Sequence, residues 1–495
     1  MTIIDLFKTV DSSVLAAKMI FKHLGKLYSV SKIADVADTS SGGTPNRGMF
    51  EYYNGNIPWV KSGELKDRLI TKCDEFITEE GLKNSSAKLF SKGTLLVAMY
   101  GANIGKTGIL DFDATTNQAV CAIFPKVKIL NEYLFWYFKQ QRIDFIAVGK
   151  GGAQPNISQT IINNALITVP DEKIQRLVVD FLEKIEQGKG IGKDFFIPEV
   201  LEDVEQIYQY KNNYVALTNN FSHQLTLIEN LNQAILQEAV QGKLLAKAAL
   251  KHEKNNETGQ QLLERIKAEK VKSFPLRGNK KGVTLPPIKP EEIPFEIPEN
   301  WVWCRLGEIC EIVRGGSPRP AGDLTYYEGK IPFLKVGDLT NGDDVYLYTH
   351  TYTIKEAGLY KTRFVEANTL MLTNSGATLG YPKICTFPTT FNDGIAAFLN
   401  LSNQFDKVYL FYFLKSLTGW FLKEASRGQG QPNLNTDIIG FTPIPIPPLS
   451  EQKLIVAEIE RQLAKTKALK AQIVSNQTNT EALLKALLSR AFEVV

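Results

Sequence analysis

The chain contains 495 residues, of which 44% are hydrophobic and 22% charged, and it carries a formal net charge of +4. This length exceeds what one hydrophobic core holds, and because no run of 18 or more apolar residues occurs we expect no membrane span. The small net charge gives no support for nucleic-acid binding. Such binding would have to depend on local basic patches.

The N-terminal segment, residues 1–24, begins MTIIDLFKTVDSS and is predicted to be helical. This opening stretch contains two acids and one lysine, without the basic start or the cleavage-type ending of a signal peptide. The five cysteines are scattered without a C-x-x-C pair, which favours small core residues in a reducing compartment. No histidine lies within helical reach of another, so we expect a cytoplasmic protein without a metal site.

The stretch YGANIGKT, residues 100–107, is close to the phosphate loop of an ATPase. That loop requires a glycine, four free positions and then Gly-Lys-Ser/Thr. Gly105, Lys106 and Thr107 supply the end of the pattern, but Tyr100 stands where the first glycine is needed. A second copy of the stretch, further along the chain, decides between a nucleotide site and a simple turn.

A domain-sized sequence occurs twice, over residues 25–168 and 300–446, at offsets of 273 to 277 residues. The matching stretches are GGTP from Gly42 and GGSP from Gly315, YYNGNIPWVKSGEL from Tyr52 and YYEGKIPFLKVGDL from Tyr326, TLLVAMYGANIG from Thr94 and TLMLTNSGATLG from Thr369, and TTNQAV from Thr115 and TFNDGI from Thr390. In the second copy Gly380, Tyr381 and Pro382 replace Gly-Lys-Thr, so the lysine and hydroxyl of a phosphate loop are missing. The repeated feature is a strand followed by a turn of small residues, in a domain of mixed α and β structure.

Each copy also contains an aromatic-rich helix. The helices are predicted over NEYLFWYFKQQRIDFI from Asn131 and over KVYLFYFLKSLTGWFLKEA from Lys407. Their rings would suit stacking on bases, but at this density on a helical pattern core packing is the preferred interpretation.

Long helical regions follow both copies, over residues 169–247 and 447–495. Apolar residues at alternating steps of four and three predict a coiled-coil seam, interrupted by the polar residues Asn232, Thr466 and Asn476. The seam positions are Phe221, Leu225, Ile228 and Ile235 in the first region, and Ile455, Ile459, Leu469, Ile473, Leu483 and Leu487 in the second. Such helices reach roughly 65–70 Å and would hold two domains apart, with an ordinary helical bundle as the alternative.

Residues 248–299 are predicted to be a basic helix and a proline-rich connector. The helix contains QQLLERIKAEKVK, and the connector contains LPPIKPEEIPFEIPE. Proline runs of this kind favour a semi-rigid, extended chain.

Five further motifs stand in a fixed order along the chain: the QPN stretches at Gln154 and Gln431, LNQAILQEAVQGKLL from Leu231, LLERIKAEK from Leu262, IPENWVWCRLGEIC from Ile297, and PPLSEQKLIVAEIE from Pro447. Together with the duplication, they resemble the specificity subunit of bacterial type I restriction-modification systems. The resemblance covers the chain after its first ~25 residues. It departs from the family pattern in two places, since the first copy lacks the Trp-containing opening motif and PDEKIQ at Pro170 replaces the PLSEQK found at Pro448.

The resemblance implies an α/β mixed fold in which two target-recognition domains are joined by helices that form an antiparallel coiled coil, with pseudo-two-fold symmetry. Each domain would read one half of a split double-stranded DNA target, and the helices would set the spacer. It implies no catalysis and no cofactor in this chain. Two modification subunits would supply adenine-N6 methylation with S-adenosylmethionine, and restriction subunits would supply cleavage with ATP and Mg²⁺.

Candidate DNA contacts are polar or basic residues near the glycine turns, since such turns project side chains into a groove. They are Lys61, Ser62, Asn103 and Lys106 in the first copy, and Lys335, Asn374, Ser375 and Thr378 in the second, with Arg47, Arg319 and Arg427 as candidate phosphate contacts. Gln154, Asn156, Gln431 and Asn433 suit adenine edges. The preferred interpretation of these four is that they close a turn before a helix through backbone hydrogen bonds, because both copies carry them.

Two other functional interpretations stay open. One is a coiled-coil scaffold that does not bind DNA, and the other is the specificity part of a fused methyltransferase-nuclease. The second is disfavoured because the sequence shows no Asn/Asp-Pro-Pro-aromatic tetrapeptide, no Gly-x-Gly cofactor loop opening a helix, and no Asp…Glu-x-Lys nuclease cluster.

Overall fold

A computed structural model describes residues 11–148, 156–189, 195–245, 257–273, 285–425 and 433–492. The chain divides into two compact units, one built from residues 1–222 together with 474–495 and the other from residues 223–473. None of the helices in the described ranges combines the length and hydropathy that crossing a bilayer requires.

The first unit combines short strands with helices of varied length. Its strands are β1 Val30–Lys32, β2 Ala37–Ser41, β3 Tyr53–Val60, β4 Arg68–Ile70, β5 Phe76–Ile77, β6 Leu89–Phe90, β7 Leu95–Ala98, β8 Thr107–Leu110, β9 Ala114–Thr116, β10 Val120–Pro125 and β11 Leu166–Thr168. Its helices are α1 Ser12–Leu27, α2 Ile33–Val36, α3 Glu79–Lys83, α4 Asn131–Val148, α5 Gln159–Asn164, α6 Glu172–Glu186 and the first part of α7 Pro198–Val240. Single 3₁₀ turns occupy Phe50–Tyr52, Ser62–Glu64 and Gly101–Asn103.

The strands of the first unit form a five-stranded sheet in the order β2-β10-β7-β8-β4, a four-stranded sheet in the order β5-β3-β9-β6, and the ribbon β1-β11. Both faces of the five-stranded sheet are buried. Along β7, Leu95 and Val97 belong to the large core shared with the helices, whereas Leu96 and Ala98 belong to a separate core on the other face. This alternation follows from the two-residue period of a strand.

Helix α4 packs against β7 and β8 of that sheet, and α1 and α6 pack against α4. Of the predicted helical segment 1–24, residues 1–10 lie outside the described residues, and α1 begins at Ser12. The side chain of Asp11 caps this helix by accepting a hydrogen bond from the Ser13 amide at 2.7 Å. In α4, Tyr133, Trp136 and Phe138 are at most 1% exposed. The aromatic residues of this helix therefore pack in the core, as predicted.

The second unit repeats these elements. Its strands are β12 Val302–Arg305, β13 Glu311–Arg314, β14 Tyr327–Leu334, β15 Tyr346–Leu347, β16 Tyr352–Ile354, β17 Arg363–Val365, β18 Thr369–Thr373, β19 Pro382–Cys385, β20 Thr389–Phe391, β21 Ile395–Leu399 and β22 Pro443–Ile446. Its helices are the last part of α7, then α8 Gly259–Ser273, α9 Leu306–Ile309, α10 Val336–Thr340, α11 Lys407–Ser416, α12 Thr418–Ala425, α13 Thr436–Phe441 and the first part of α14 Leu449–Phe492. Pro290–Glu292 and Glu356–Lys361 form 3₁₀ turns.

The two units have the same sheet topology. The second contains the five-stranded order β13-β21-β18-β19-β15, the four-stranded order β16-β14-β20-β17 and the ribbon β12-β22, so each strand of the first unit has a counterpart numbered eleven higher. Local irregularities are repeated as well. Asn54 in β3 and Glu328 in β14 both have φ of +59°, and each begins a register shift against the neighbouring strand. The predicted duplication is confirmed.

One predicted helix of the second unit is divided. The stretch from Lys407 forms α11 and α12 rather than a single helix, with Leu417 between them. The Thr418 hydroxyl donates to the carbonyl of Gly380 at 2.9 Å and to that of Lys415 at 3.0 Å. Thr418, the first residue after the break, is therefore hydrogen-bonded to the glycine turn that contains Gly380.

The basic helix and the connector belong to the second unit. The helix, predicted from its charge pattern, is α8. The buried Arg305 fixes the proline-rich segment, since its guanidinium donates to the Pro286 carbonyl at 2.8 Å and to both carboxylate oxygens of Glu292. The hydrogen bonds from Arg305 to the Glu292 carboxylate, together with the Arg305 charge, lower the pKa of Glu292 to about 2.

The helices α7 and α14 contain 43 and 44 residues, each about 65 Å long, and both continue from one unit into the other. Within the second unit the Thr466 hydroxyl donates to the Asn232 side-chain oxygen at 2.6 Å. Within the first unit the Tyr214 hydroxyl donates to Glu481 at 3.4 Å. The contact nearer the start of α7 is made with the residue nearer the end of α14, and the later contact on α7 is made with an earlier residue of α14. This is the order of an antiparallel pair. The two-fold relation between the units stays a prediction.

The predicted seam in α7 is buried at Ile228 and Ile235 and half-buried at Phe221 and Leu225, and the predicted seam in α14 is partly wrong. Ile228 and Ile235 are 4% and 7% exposed, and Ile455, Ile459 and Ile473 are also buried, but Leu469 and Leu483 are 52% and 62% exposed. After Ile473 the inward positions are Gln477, Thr480 and Leu484. The prediction failed at Leu483 because the helix takes a four-residue step after Ile473 where three were assumed, the step called a stutter.

The cysteines are free thiols in both units. Cys121, Cys304, Cys310 and Cys385 are buried and Cys73 is half-buried, as predicted for small core residues. Burial raises the pKa of the Cys121 and Cys310 thiols to about 12, so they stay protonated.

Candidate nucleic-acid interface

In each unit, three turns meet where strands of both sheets end. In the first unit β3 and β9 run parallel and pair Val60 with Thr116, so they end side by side. The strand β7 ends beside them, because the Met99 amide donates to the Ala119 carbonyl at 2.8 Å. We call residues 61–64, 100–103 and 117–119 the strand-end edge of the first unit.

The second unit has the same arrangement. Its strand-end edge consists of residues 335–338, 375–378 and 392–394, after β14, β18 and β20. The amide of Asn392 donates to the Leu334 carbonyl at 2.9 Å, as that of Asn117 does to Val60 at 3.1 Å. Isolated bridges then join the segments before α5 and α13 to these edges, pairing Tyr100 with Asn156 and Ser375 with Asn433.

Glycines make the middle turn possible. Gly101 and Gly105 have φ of +68° and +70°, and Gly376 and Gly380 have φ of +84° and +86°, a region that favours glycine. The predicted turn of small residues is confirmed. The side chain of Thr107 is fully buried and its hydroxyl donates to Asp67 at 3.2 Å, so this hydroxyl is not accessible as a phosphate loop requires.

Two basic candidates of the first unit share one carboxylate. Lys61 Nζ lies 2.5 Å and Arg47 Nη2 lies 3.1 Å from the two oxygens of Glu75. The Arg47 guanidinium also lies 4.7 Å from the Tyr53 ring centroid and 4.9 Å from that of Trp59. The hydrogen bond from Lys61 lowers the pKa of Glu75 and raises that of Lys61, so both groups are held in their charged forms.

The other candidates of the first unit lie around the same turns. A Cβ placed on Gly63 would be 4.0 Å from the Asn103 amide nitrogen, so the turn that begins at Ser62 touches the glycine turn. Lys106 is half-buried, and its amide donates to the Asn103 carbonyl at 2.9 Å. No ion-pair partner of Lys106 occurs in the described part of the chain.

Candidates of the second unit surround the equivalent turns. Lys335 Nζ lies 3.4 Å from the ring centroid of Tyr352. Thr378 is exposed and Ser375 is half-exposed. The side chain of Arg319 is 71% exposed and lies 3.9 Å from Asp393.

Asn374 is a correction. Its side chain is fully buried, and neither amide atom has a hydrogen-bond partner in the described ranges, contrary to the prediction that it projects from the turn. The backbone of Asn374 is bonded on both sides, donating to Gly394 at 2.9 Å and accepting from Leu434 at 2.8 Å. The side chain is therefore enclosed, at the position that Met99 occupies in the first unit.

The amide-rich stretches are partly described. Asn156 and Asn433 are exposed, whereas Gln154, Arg427 and Gln431 lie outside the described residues. The caps of the following helices come from Ser158, which accepts from the Ile161 amide at 3.3 Å, and Asn435, which accepts from the Ile438 amide at 2.7 Å. Capping these helices therefore does not occupy the side chains of Asn156 and Asn433.

Sequence reasoning missed three features of the edges. Glu75 has no marked counterpart in the repeat and was not considered. Lys361, whose Nζ lies 4.1 Å from the Tyr326 ring centroid, was missed because its position depends on the fold. Gln118 and Asp393 stand inside the quoted pair TTNQAV and TFNDGI, so the repeat itself held the signal. In the described ranges no group of three or more His, Cys, Asp or Glu is placed to hold a metal ion.

Comparison with known proteins places these features in a family. A model described as "Type I restriction modification DNA specificity domain" matches residues 26–193 and 298–475. The chain is 26% identical to the Type I restriction enzyme MjaIX specificity subunit of Methanocaldococcus jannaschii, covering 86% of this chain and 85% of that one. It is 24% identical to the EcoAI specificity subunit of Escherichia coli, covering 86% and 70%.

Solved structures of similar proteins cover most of the chain. The HsdS subunit from Thermoanaerobacter tengcongensis has 17% identity and a TM-score of 0.39, over 94% of this chain and 96% of that one. The S subunit of a type I restriction-modification system from M. genitalium has 15% identity and a TM-score of 0.29, over 94% and 96%.

Proposed function

The chain belongs to the type I restriction modification DNA specificity family, and from this premise we propose that it is the subunit that selects the DNA target of a type I restriction-modification complex. Residues 25–168 and 300–446 are the proposed recognition domains, and each reads one half of a split target. Residues 169–247 and 447–495 are the proposed spacer, and residues 248–299 connect the two halves of the chain.

The observation that carries the proposal is the duplicated strand-end edge. Each edge begins at a basic residue, Lys61 or Lys335, and contains a glycine turn whose Tyr100 or Ser375 bridges an exposed asparagine, Asn156 or Asn433. Basic side chains suit phosphates, and amide side chains suit the donor and acceptor pattern of base edges. Two edges with one topology and different side chains suit two half-sites with different sequences.

The proposed partners follow from the same duplication. Two modification subunits bind the two repeats, since a duplicated surface offers a duplicated docking site. They supply adenine-N6 methylation with S-adenosylmethionine, and restriction subunits supply cleavage with ATP and Mg²⁺. This chain contributes target selection and no catalysis, in the cytoplasm.

Methylome sequencing tests the proposal. In a methylation-deficient host, the modification subunit expressed with this chain is expected to produce N6-methyladenine in one split motif. The modification subunit alone, or paired with the specificity subunit of another system, is the control. Methylation that does not depend on this chain would contradict the proposal, and an intact assembly that binds no DNA would favour the scaffold interpretation.

A further inference from the structure

A hydroxyl group holds one side chain of the strand-end edge in each unit. In the first unit the Thr44 hydroxyl donates to the side-chain oxygen of Gln118. In the second unit the Ser317 hydroxyl donates to a carboxylate oxygen of Asp393 at 2.6 Å. Thr44 and Ser317 are equivalent in GGTP and GGSP, and Gln118 and Asp393 are equivalent in TTNQAV and TFNDGI. The geometry is repeated, but the group that it holds changes from an amide to a carboxylate.

The glycines before the hydroxyl residue bring the two loops together. A Cβ on Gly42 would lie 2.1 Å from the Thr116 hydroxyl oxygen, and one on Gly315 would lie 2.2 Å from the Asn392 carbonyl oxygen. No side chain fits in either place. The GGTP and GGSP loops therefore lie directly against the turns that carry Gln118 and Asp393.

Further hydrogen bonds fix the GGTP and GGSP loops. The Tyr53 hydroxyl donates to the Pro45 carbonyl at 2.6 Å, and the equivalent Tyr327 hydroxyl donates to the Pro318 carbonyl at 2.8 Å. The next glycines donate to the ends of β9 and β20, at 2.9 and 3.1 Å. A loop fixed in this way orients the held side chain before any ligand binds, which lowers the entropy cost of recognition.

Both held side chains stay accessible. Gln118 is exposed, and the side chain of Asp393 is 46% exposed. The hydrogen bond from Ser317 and the nearby charges of Arg319 and Arg314 lower the pKa of Asp393, so it carries a full negative charge. A negative charge repels phosphates, which argues against a backbone contact and for contact with an amino group.

On the basis of the proposed function, we propose that Gln118 and Asp393 are base-reading residues of different preference, Gln118 for an A·T pair and Asp393 for a G·C pair, one in each half-site. A glutamine side chain pairs with the N6 and N7 edge of adenine, and a carboxylate accepts from the N4 amino group of cytosine. Arg319, beside Asp393, is placed to donate to the guanine of the same pair.

The test uses the chain assembled with its modification subunits. The wild-type motif is taken from the methylome, and fluorescence anisotropy then measures binding to duplexes with each base pair of the motif replaced in turn. Replacing the G·C pair read by Asp393 is expected to weaken wild-type binding about tenfold or more. With Asp393→Asn that loss is expected to fall below about threefold, with the other positions unchanged. With Gln118→Glu the same change is expected at an A·T pair of the other half-site.

Two further variants complete the test. The control Asp343→Asn removes an 89% exposed carboxylate of the same unit, which lies near β15, at the opposite edge of the sheet from β13. It is expected to bind the wild-type and the base-replaced duplexes with the same relative affinities as the wild-type chain. Ser317→Ala removes only the holding hydroxyl and is expected to weaken discrimination at the base pair that Asp393→Asn affects. This variant also gives a result if Asp393→Asn fails to assemble.

Two outcomes overturn the assignment. One is that Asp393→Asn binds the split motif and discriminates between the duplexes as the wild type does. Where that variant does not assemble, the same result for Ser317→Ala overturns the assignment. The other is a change in the same half-site for Gln118→Glu and Asp393→Asn. A wild-type assembly that binds no split motif contradicts the proposed function instead, so the two failures are distinguishable.

Discussion

Gly42 and Gly315 must be glycine because other atoms of the chain lie directly against them. An added Cβ would come within 2.2 Å of neighbouring oxygen atoms at both positions, so only glycine fits. The sequence repeat marks these glycines but does not say what they approach. The structure shows that they bring a hydroxyl group to Gln118 in one unit and to Asp393 in the other.

Glu75 provides a prediction at the residue scale. It holds Arg47 and Lys61, which are proposed DNA contacts. If these two side chains bind phosphates, Glu75→Gln is expected to tighten binding to any DNA sequence a few-fold at low salt and to steepen the salt dependence by up to about one unit. Because the pKa of Glu75 is lowered below its usual value near 4.3, the carboxylate stays charged and the ratio between variant and wild type is expected to be constant from about pH 6 to 8.

Fluorescence anisotropy at several salt concentrations measures this effect. Glu79→Gln, at the start of α3, is the control for a lost surface charge and is expected to bind as wild type. Unchanged binding by Glu75→Gln would show that Arg47 and Lys61 do not meet DNA.

The long helices show how polar residues are used at the scale of one element. Asn232 and Thr466 were seen in the sequence as interruptions of the seam, and the structure shows that they are hydrogen-bonded to each other. A buried polar pair fixes the register of a helix pair at a cost in stability. The stutter after Ile473 differs from this pair, because it changes which face of α14 is buried although no unusual residue marks it in the sequence.

A double-mutant cycle tests the pair. Asn232→Leu alone is expected to destabilise the chain, because it leaves the Thr466 hydroxyl without its partner on α7, and the further change Thr466→Val is expected to recover the loss. The coupling energy is expected to be about 0.5–1.5 kcal/mol in the thermal unfolding of the helices. The exposed residues Asn220 and Ser475, changed in the same way, form the control cycle and are expected to show no coupling. Equal coupling in both cycles would mean that the hydrogen bond contributes nothing.

At the scale of the whole molecule, two units of the same topology share two continuous helices. Each of these helices therefore belongs in part to the unit with one strand-end edge and in part to the unit with the other. If the helices set the spacer of the DNA target, its length depends on them and not on either strand-end edge.

Insertion of seven residues into both helices tests the spacer. Heptads placed after Asn220 and after Asn476 keep the seam in phase and lengthen each helix by about 10 Å, close to three base-pair steps. Methylation is expected to move to the same two half-sites with about three more base pairs between them. The rate is expected to fall, because the half-sites also rotate by about 100° around the duplex. Methylation of the original spacing at the full rate would contradict the spacer role, and a heptad inserted into only one helix is the control for a disrupted seam.

The sequence by itself determined the duplication, the mixed α/β class and the long helices, because these depend on internal repetition and on hydrophobic period, which can be seen along the chain without any tertiary contact. Only the tertiary structure decided which side chains meet. Glu75 holds Arg47 and Lys61, Asn374 is enclosed, the exposed side of α14 includes Leu483, and hydroxyl groups hold Gln118 and Asp393. These facts depend on loops brought together from distant parts of the chain, and neither the spacing nor the composition of a single stretch contains that information.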